Sequence, residues 1–257
     1  MTLQLVDTHC HLDVEPLAND VAAVLERAAQ AGVQRCISIG TTLKASKANV
    51  ALAHRYPAVA AAVGVHPNEA DGVTDAVLAA IDTLAADPRV VAIGEVGLDS
   101  YRQHASPENQ QRALHGFIAI ATRRNLPLLI HCRNAYEPLL AILREAASGS
   151  LRGVIHCASG PPEFITGALA LGFHVSFAGN VTFPNAGALR ALVPLVPDKR
   201  LLIETDAPFL APQPVRGKTN EPAFVAHTAE HLARLRNTTA EELAALTTRN
   251  ARALFQL

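Results

Sequence analysis

Asp7-Thr8-His9-Cys10-His11 ends an apolar, strand-like run near the start of the chain. Alternate side chains of a β-strand share one face, so His9 and His11 are expected to point the same way and to hold one cation. Two histidines in a chain with 11 of them are weak evidence alone. The arrangement recurs, however, because four later apolar runs each end on a candidate ligand: Glu95, His131, His156 and Asp206. The sequence therefore predicts a metal centre built from the ends of several strands.

Strand-like and helix-like segments alternate along the chain. The predicted strands are Leu3–His9, Gln34–Gly40, Val59–His66, Val90–Val96, Leu126–His131, Gly153–His156, Phe173–Phe177 and Arg200–Thr205. The predicted helices between them include Leu17–Ala31, Leu43–Arg55, Val73–Ala86, Glu108–Arg124 and Tyr136–Ala147. An open doubly wound sheet would leave the candidate ligands far apart, whereas a closed barrel gathers the carboxyl ends of all its strands around one site. We therefore predict an α/β fold of the (β/α)8 TIM-barrel type.

Length and composition predict one domain over residues 1–257. The chain is 49% hydrophobic and has no Gly/Ser-rich or Pro-rich linker, so one large core is expected. The formal net charge of -1 provides no overall field that would attract a polyanion. No apolar run approaches the roughly 18 residues of a membrane span, and the first strand leaves no room for a signal peptide. We expect a cytoplasmic monomer with no membrane partner.

Three of the four cysteines directly follow a candidate histidine ligand: Cys10, Cys132 and Cys157. In a strand, a residue next to an inward-facing histidine faces the other way, towards the covering layer. We therefore interpret these cysteines, and Cys36, as small buried hydrophobic residues and not as metal ligands.

The ligand types favour two divalent cations that activate water. His9, His11 and Asp206 would hold one cation, His131 and His156 the second, and Glu95 would bridge them. A hydroxide between the cations is the expected nucleophile, because coordination lowers the pKa of water. Asp206 would also act as the general base. Related architectures often bridge two metals with a carboxylated lysine, but no lysine lies near the fourth predicted strand, so Glu95 is assigned that role.

Seven motifs resemble the TatD-like metal-dependent deoxyribonucleases of the amidohydrolase superfamily. They are Asp7–Asp13, Gly64–Pro67, Gly94–Asp99, Ile130–Arg133, His156–Gly160, Glu204–Pro208 and Arg216–Pro222. The resemblance implies a TIM barrel with one to three divalent cations (zinc, manganese or magnesium), bound by His9, His11, Glu95, His131, His156 and Asp206. It also implies 3′-to-5′ hydrolysis of single-stranded DNA or RNA from its ends, or of small phosphodiesters. Ser100 and Ala158 stand where the family often has aromatic residues, which removes two candidate stacking surfaces.

Further residues are candidates for substrate binding. Arg133 lies two positions beyond His131 and would clamp a phosphate with its planar guanidinium group. His66 would contact the phosphate or the leaving group. Tyr101 follows the strand that carries Glu95, and Arg216 and Lys218 are positively charged residues on a loop after the last strand. Glu204 is either a partner of the ligands or an extra ligand. We expect the histidines outside this pattern to be structural or on the surface: His54, His104, His115, His174, His227 and His231.

Two other functional classes remain open at this point. A hydrolase of another ester or amide, for example an aminoacyl ester on transfer RNA, would use the same metals and base but would not need a phosphate clamp. A non-catalytic metal-binding scaffold is the other alternative, although a scaffold has no need for an open metal site with a general base beside it.

Overall fold

Eight parallel strands in chain order form the centre of the molecule. The computed structural model describes residues 3–102, 104–146 and 151–257. The strands are β1 (Leu5–Cys10), β2 (Val33–Ile39), β3 (Val59–Val63), β4 (Val90–Asp99), β5 (Leu128–Arg133), β6 (Gly153–Ile155), β7 (His174–Phe177) and β8 (Leu201–Ile203). Each strand pairs with the next in a single sheet of order β1 to β8. The predicted TIM-barrel fold is confirmed.

At least one helix follows every strand. The helices are α1 (Val21–Gln30), α2 (Leu43–Arg55), α3 (Asp75–Leu84), α4 (Pro107–Arg124), α5 (Tyr136–Ala146), α6 (Pro162–Ala170), α7 (Gly187–Arg190), α8 (Val225–Leu235) and α9 (Ala240–Phe255). Side-chain caps set several of the starts: the Ser106 hydroxyl accepts a hydrogen bond from the backbone of Asn109 at the start of α4, and Thr239 and Glu242 form a capping box at α9. No helix in the described ranges is long and apolar enough to cross a membrane.

Two apolar layers hold the barrel together. Side chains on one face of the strands meet inside it, and this inner cluster includes Val6, Ile37, Ile39, Ala62, Ala92, Leu129, Val154 and Leu202. Side chains on the other face pack against the helices, among them Leu5, Cys36, Val59 and Leu128. Because both faces of each strand are buried, the strand sequences are nearly continuous hydrophobic runs.

The barrel closes where β8 meets β1. The amide of Asp206 donates a hydrogen bond to the carbonyl of His9 (2.8 Å), and the amide of His11 donates to the carbonyl of Ala207 (2.7 Å). Asp7 is fully buried, and it accepts hydrogen bonds from the amide (2.9 Å) and the hydroxyl (2.6 Å) of Thr205. The closure therefore runs directly through the predicted metal centre.

Several predicted boundaries are wrong because turns replace the ends of regular elements. Strand β3 ends at Val63, so His66 lies in the turn after it, whereas β4 continues to Asp99. A short 3-10 turn at Leu17–Asp20 precedes α1, so this helix begins later than predicted. Helix α3 begins at Asp75 and not at Val73, because Thr74 caps its start. At the end of the fifth predicted helix, Ala147 lies outside the described residues.

His174 is the first residue of β7, within the predicted strand Phe173–Phe177, and it is buried. One residue assignment is corrected. Cys10, Cys36 and Cys132 are buried as predicted, but Cys157 is only partly buried. Cys157 follows the end of β6 and has a φ of 44°, so the alternation of a regular strand does not apply to it.

Candidate metal centre

The six predicted ligands converge at the carboxyl end of the barrel. Around Asp206, the Oδ1 atom lies 3.4 Å from Nε2 of His11 and 3.7 Å from Nε2 of His9. These three side chains form one group of donor atoms close enough to share a cation. They come from the strands that close the barrel, so the closure itself assembles the group.

Glu95 lies at the middle of the cluster. Its Oε1 atom is 2.9 Å from Nδ1 of His131 and 2.9 Å from Nε2 of His156. Its Oε2 atom is 3.6 Å from Nε2 of His9, on the side of the Asp206 group. The two oxygens thus face two different sets of histidines, which is the arrangement that a bridging carboxylate requires.

An irregularity in β4 turns Glu95 into the barrel mouth. The register between β4 and β5 shifts between Ile93 and Val96, and such bulges commonly re-aim a side chain beside a site. Gly94 is required there because a Cβ atom would meet Cβ of Leu129 at 2.4 Å. Gly97 has a φ of +147°, and a Cβ atom on it would lie 1.9 Å from the carbonyl oxygen of His131. The two glycines allow β4 to pass this close to β5.

Sequence reasoning missed Asp99. His66, Asp99 and His131 form a further group of side chains whose ligand atoms are close enough to share a cation. Within it, Oδ2 of Asp99 lies 3.4 Å from Nε2 of His131. Asp99 is buried, and its Oδ1 atom accepts hydrogen bonds from the amides of Tyr101 and Arg102. The four-residue spacing from Glu95 was a signal for this residue, but the predicted strand ended at Val96.

His66 presents a hydrogen-bond donor to the centre. Its Nδ1 atom accepts a hydrogen bond from the amide of Asn68 (3.1 Å). Burial, as the largest influence, lowers the pKa of His66 to about 4, so the ring is neutral at neutral pH. A neutral ring that accepts at Nδ1 carries its proton on Nε2, which faces Oε1 of Glu95 at 3.6 Å. The geometry therefore favours donation by His66 over metal binding through Nε2.

Glu204 lies behind His156. Its Oε1 atom accepts a hydrogen bond from the amide of Cys157 (2.7 Å) and lies 3.3 Å from Nδ1 of His156. Glu204 is fully buried, and its Oε2 atom has no hydrogen-bond partner in the part of the chain that the structure describes. Of the two predicted roles, these contacts favour that of a partner that orients a ligand.

The two carboxylates at the centre stay ionised. Burial opposes ionisation, but the charge of His156 and hydrogen bonds from His131 and His156 hold the pKa of Glu95 well below its usual range. The pKa of Asp206 is also lowered, because the hydrogen bond from His11 and the charge of His9 outweigh burial. The cluster therefore offers two negative charges and several imidazole nitrogens within a few ångströms.

This donor set fits divalent cations. His9 is fully buried, yet neither of its ring nitrogens has a hydrogen-bond partner among the described residues. Its ring also stacks on that of His156 at 4.0 Å between centroids. An unpaired buried imidazole is costly, and a cation at Nε2 satisfies it. Imidazole with carboxylate suits zinc, manganese or iron, while magnesium prefers the carboxylate oxygens.

The other predicted substrate-binding residues lie at or after the ends of β4, β5 and β8. The guanidinium group of Arg133 stacks on the ring of Tyr101, 3.9 Å from its centroid, at the ends of β5 and β4. Arg216 stacks in the same way on Phe183, at 4.0 Å. Lys218 is exposed on the same loop as Arg216. In the described ranges, no hydrogen bond or ion pair joins Arg216 or Lys218 to the six ligands.

Comparison with known proteins agrees with the fold and the cluster. A family model described as TatD related DNase matches residues 6–256. The uncharacterized metal-dependent hydrolase YabD of Bacillus subtilis (strain 168) is 40% identical, over 98% of this chain and 99% of that protein. The protein named 3′-5′ ssDNA/RNA exonuclease TatD of Edwardsiella piscicida is 37% identical, over 98% of this chain and 100% of its own length.

A solved structure supports the same relationship. The crystal structure of YJJV, a TatD homolog from Escherichia coli K12, matches with a TM-score of 0.94 and 32% identity, and the match covers 100% of both chains. Similarity of this extent includes the strands that carry the cluster. The chain therefore belongs to the TatD family of metal-dependent hydrolases.

Proposed function

We propose that this protein is a 3′-to-5′ exonuclease that hydrolyses phosphodiester bonds at the ends of single-stranded DNA or RNA. The main support is the position of Glu95, whose two oxygens face separate sets of histidines in a buried cluster. A relative with 37% identity is named as an exonuclease of this kind.

In this proposal the cluster would hold two divalent cations. His9, His11 and Asp206 would hold one, and His131 and His156 the second, with Glu95 between the two sets. When bound, such cations would supply an acidified water molecule and would neutralise charge on the attacked phosphate. The protein supplies the geometry, because all six side chains lie on barrel strands or on the turns directly after them.

Asp206 acts as the general base. Its Oδ1 atom faces His11 and His9, which leaves Oδ2 to orient the attacking water and accept its proton. The lowered pKa of Asp206 keeps its carboxylate ionised at neutral pH, the state in which it can accept a proton. His66 donates from Nε2 to an oxygen of the phosphate or of the leaving group.

Arg133 binds the phosphate that neighbours the scissile bond. Its stacking on Tyr101 restricts the guanidinium group, so less side-chain freedom is lost when it binds an oxyanion. Arg216 and Lys218 add positive charge at the mouth of the barrel. With a net charge of only -1 over the chain, this local charge favours a strand end over a long duplex.

The experiment compares single-stranded oligonucleotides labelled at either end with a closed circular duplex and an aminoacyl-transfer-RNA ester. The metal is first removed with a chelator and then replaced by manganese, magnesium or zinc. We expect stepwise shortening from the 3′ end that stops in chelator and returns with metal, while circular dichroism remains unchanged. Activity that survives complete metal removal, or hydrolysis of the aminoacyl ester alone, would refute the proposal.

A further inference from the structure

Two exposed aromatic rings flank the metal centre. Large hydrophobic side chains exposed in the described ranges are Tyr101, Leu195, Phe209 and Leu235. Leu195 precedes β8 and Leu235 ends α8, so both lie at the opposite end of the barrel. Phe209 is 54% exposed, and its ring centroid lies 6.0 Å from that of His11. Tyr101 lies on the other side of the centre, beside Arg133.

The backbone of Phe209 is held in place on both sides. Its amide donates a hydrogen bond to the carbonyl of Asp206 (2.9 Å), and its carbonyl accepts one from the side chain of Asn220. Asn220 is fully buried and also donates to the carbonyl of Thr205 (2.8 Å). Asn220 therefore fixes the backbone of Phe209, while the ring of Phe209 stays exposed.

The conformation of this turn is also unfavourable. Asp206 has a φ of 57° and Leu210 a φ of 56°, and neither is glycine. Left-handed backbone is unfavourable at residues other than glycine, and it concentrates at functional sites. The turn thus positions a metal ligand and an exposed ring together, three residues apart.

We infer that Phe209 is the stacking platform for the terminal base of a single strand whose phosphate lies at the metal centre. This inference rests on the proposed function. An exposed ring next to a cationic site binds bases through their faces, which all four bases share, so it accepts strands of any sequence. Arg216, which stacks on Phe183, lies on the same loop after β8 as Phe209 and adds a positive charge to it.

A single tryptophan tests the inference directly. The chain contains no tryptophan, so Phe209→Trp introduces one fluorescent reporter at the platform. The probes are a nuclease-resistant phosphorothioate oligothymidylate and an abasic strand with the same number of phosphorothioates. We expect strong quenching by the first and much weaker quenching by the second. Leu235→Trp, at the far end of the barrel, is the matched control and should respond to neither probe.

Kinetics provide the second measurement. Phe209→Ala should raise KM for both strands by different factors, and the factor for oligothymidylate should be roughly tenfold larger than the factor for the abasic strand. A tenfold difference is the usual scale for one base–aromatic contact. Phe209→Tyr should restore most of the loss, whereas Phe209→Leu should not, because it lacks a π face. Leu235→Ala should have no effect.

The outcomes separate the two ideas. Equal quenching by both probes, or equal kinetic losses on both strands, would show that Phe209 does not stack on a base, while exonuclease activity would stand. Absence of both oligonucleotide hydrolysis and quenching would refute the proposed function and this inference with it.

Discussion

Glu204 and His156 form a carboxylate–histidine pair behind the metal centre: Oε1 of Glu204 lies 3.3 Å from Nδ1 of His156, and the opposite ring nitrogen faces Glu95 at 2.9 Å. Such a carboxylate fixes the tautomer of a ligating histidine and makes its other nitrogen a stronger base. The pair is fully buried, so water does not weaken it.

Glu204→Gln should lower metal affinity by about 10- to 100-fold, since the amide keeps an acceptor but removes the charge. Competition between the metal-free protein and a chromophoric chelator measures the zinc or manganese affinity. Glu221→Gln is a suitable control, because Glu221 is a carboxylate that pairs with the half-exposed Arg27. Unchanged affinity in Glu204→Gln would mean that this carboxylate does not act through His156.

Asp206→Asn should reduce kcat by roughly 10² to 10⁴ and change KM much less, because the amide can contact a cation but cannot accept a proton. Steady-state kinetics on a 3′-labelled oligonucleotide, with bound metal measured in the same samples, separate the two effects. Turnover close to that of the wild type would require another base, and Glu204 would be the next carboxylate to replace.

Arg133→Ala should raise KM for phosphodiesters and leave any neutral ester substrate unaffected, since the substitution removes the phosphate contact alone. A plot of the logarithm of KM against that of the salt concentration should have a slope corresponding to about two or three phosphate contacts, reduced by about one in the variant. The KM of Arg133→Lys should fall between those of the wild type and Arg133→Ala, because lysine keeps the charge but loses the planar stack on Tyr101. Equal impairment on neutral esters would contradict the phosphate-binding role.

His174 should make the fold sensitive to mild acid. Burial, reinforced by the charge of Arg200, lowers the pKa of His174 to about 4 in the folded protein. In the unfolded chain its pKa is about 6.5, so between these values the unfolded state binds more protons. The stability that the neutral ring contributes is therefore complete above pH 6.5 and is lost as the pH falls towards 4.

Replacement of the ring by a group that does not titrate isolates this effect. Relative to His174→Gln, the wild type should lose about 2 kcal/mol of unfolding free energy between pH 8 and pH 5. Urea denaturation at each pH provides the measurement. A difference between the two proteins that does not vary with pH would show that His174 has the same pKa in the folded and unfolded states.

Sequence patterns predict the regular parts of this molecule and fail where the backbone departs from regularity. Alternation placed His9 and His131 in β1 and β5 and His11 directly after β1, close to where the structure has them. Asp99 was missed because β4 continues through the irregularity at Glu95, which a pattern of apolar residues does not reveal. Cys157 was assigned to the wrong environment because its positive φ follows the last paired residue of β6.

The contacts between side chains at the centre could not be predicted from the sequence, for a different reason. The pairing of Glu204 with His156 depends on how strands 48 residues apart meet. The donor role of His66 depends on one backbone hydrogen bond from Asn68. Both are products of tertiary packing, which one sequence without its structure does not specify.

Closure of the barrel by Asp7 and Thr205, 198 residues apart, has a consequence for synthesis of the protein. A ribosome releases the two histidines of the first strand early and Asp206 late, so the nascent chain holds an incomplete set of ligands for most of its translation. In the proposed two-cation centre, tight capture of a cation would wait until the last strand has joined the first. A loaded centre would then mark a chain whose barrel has closed.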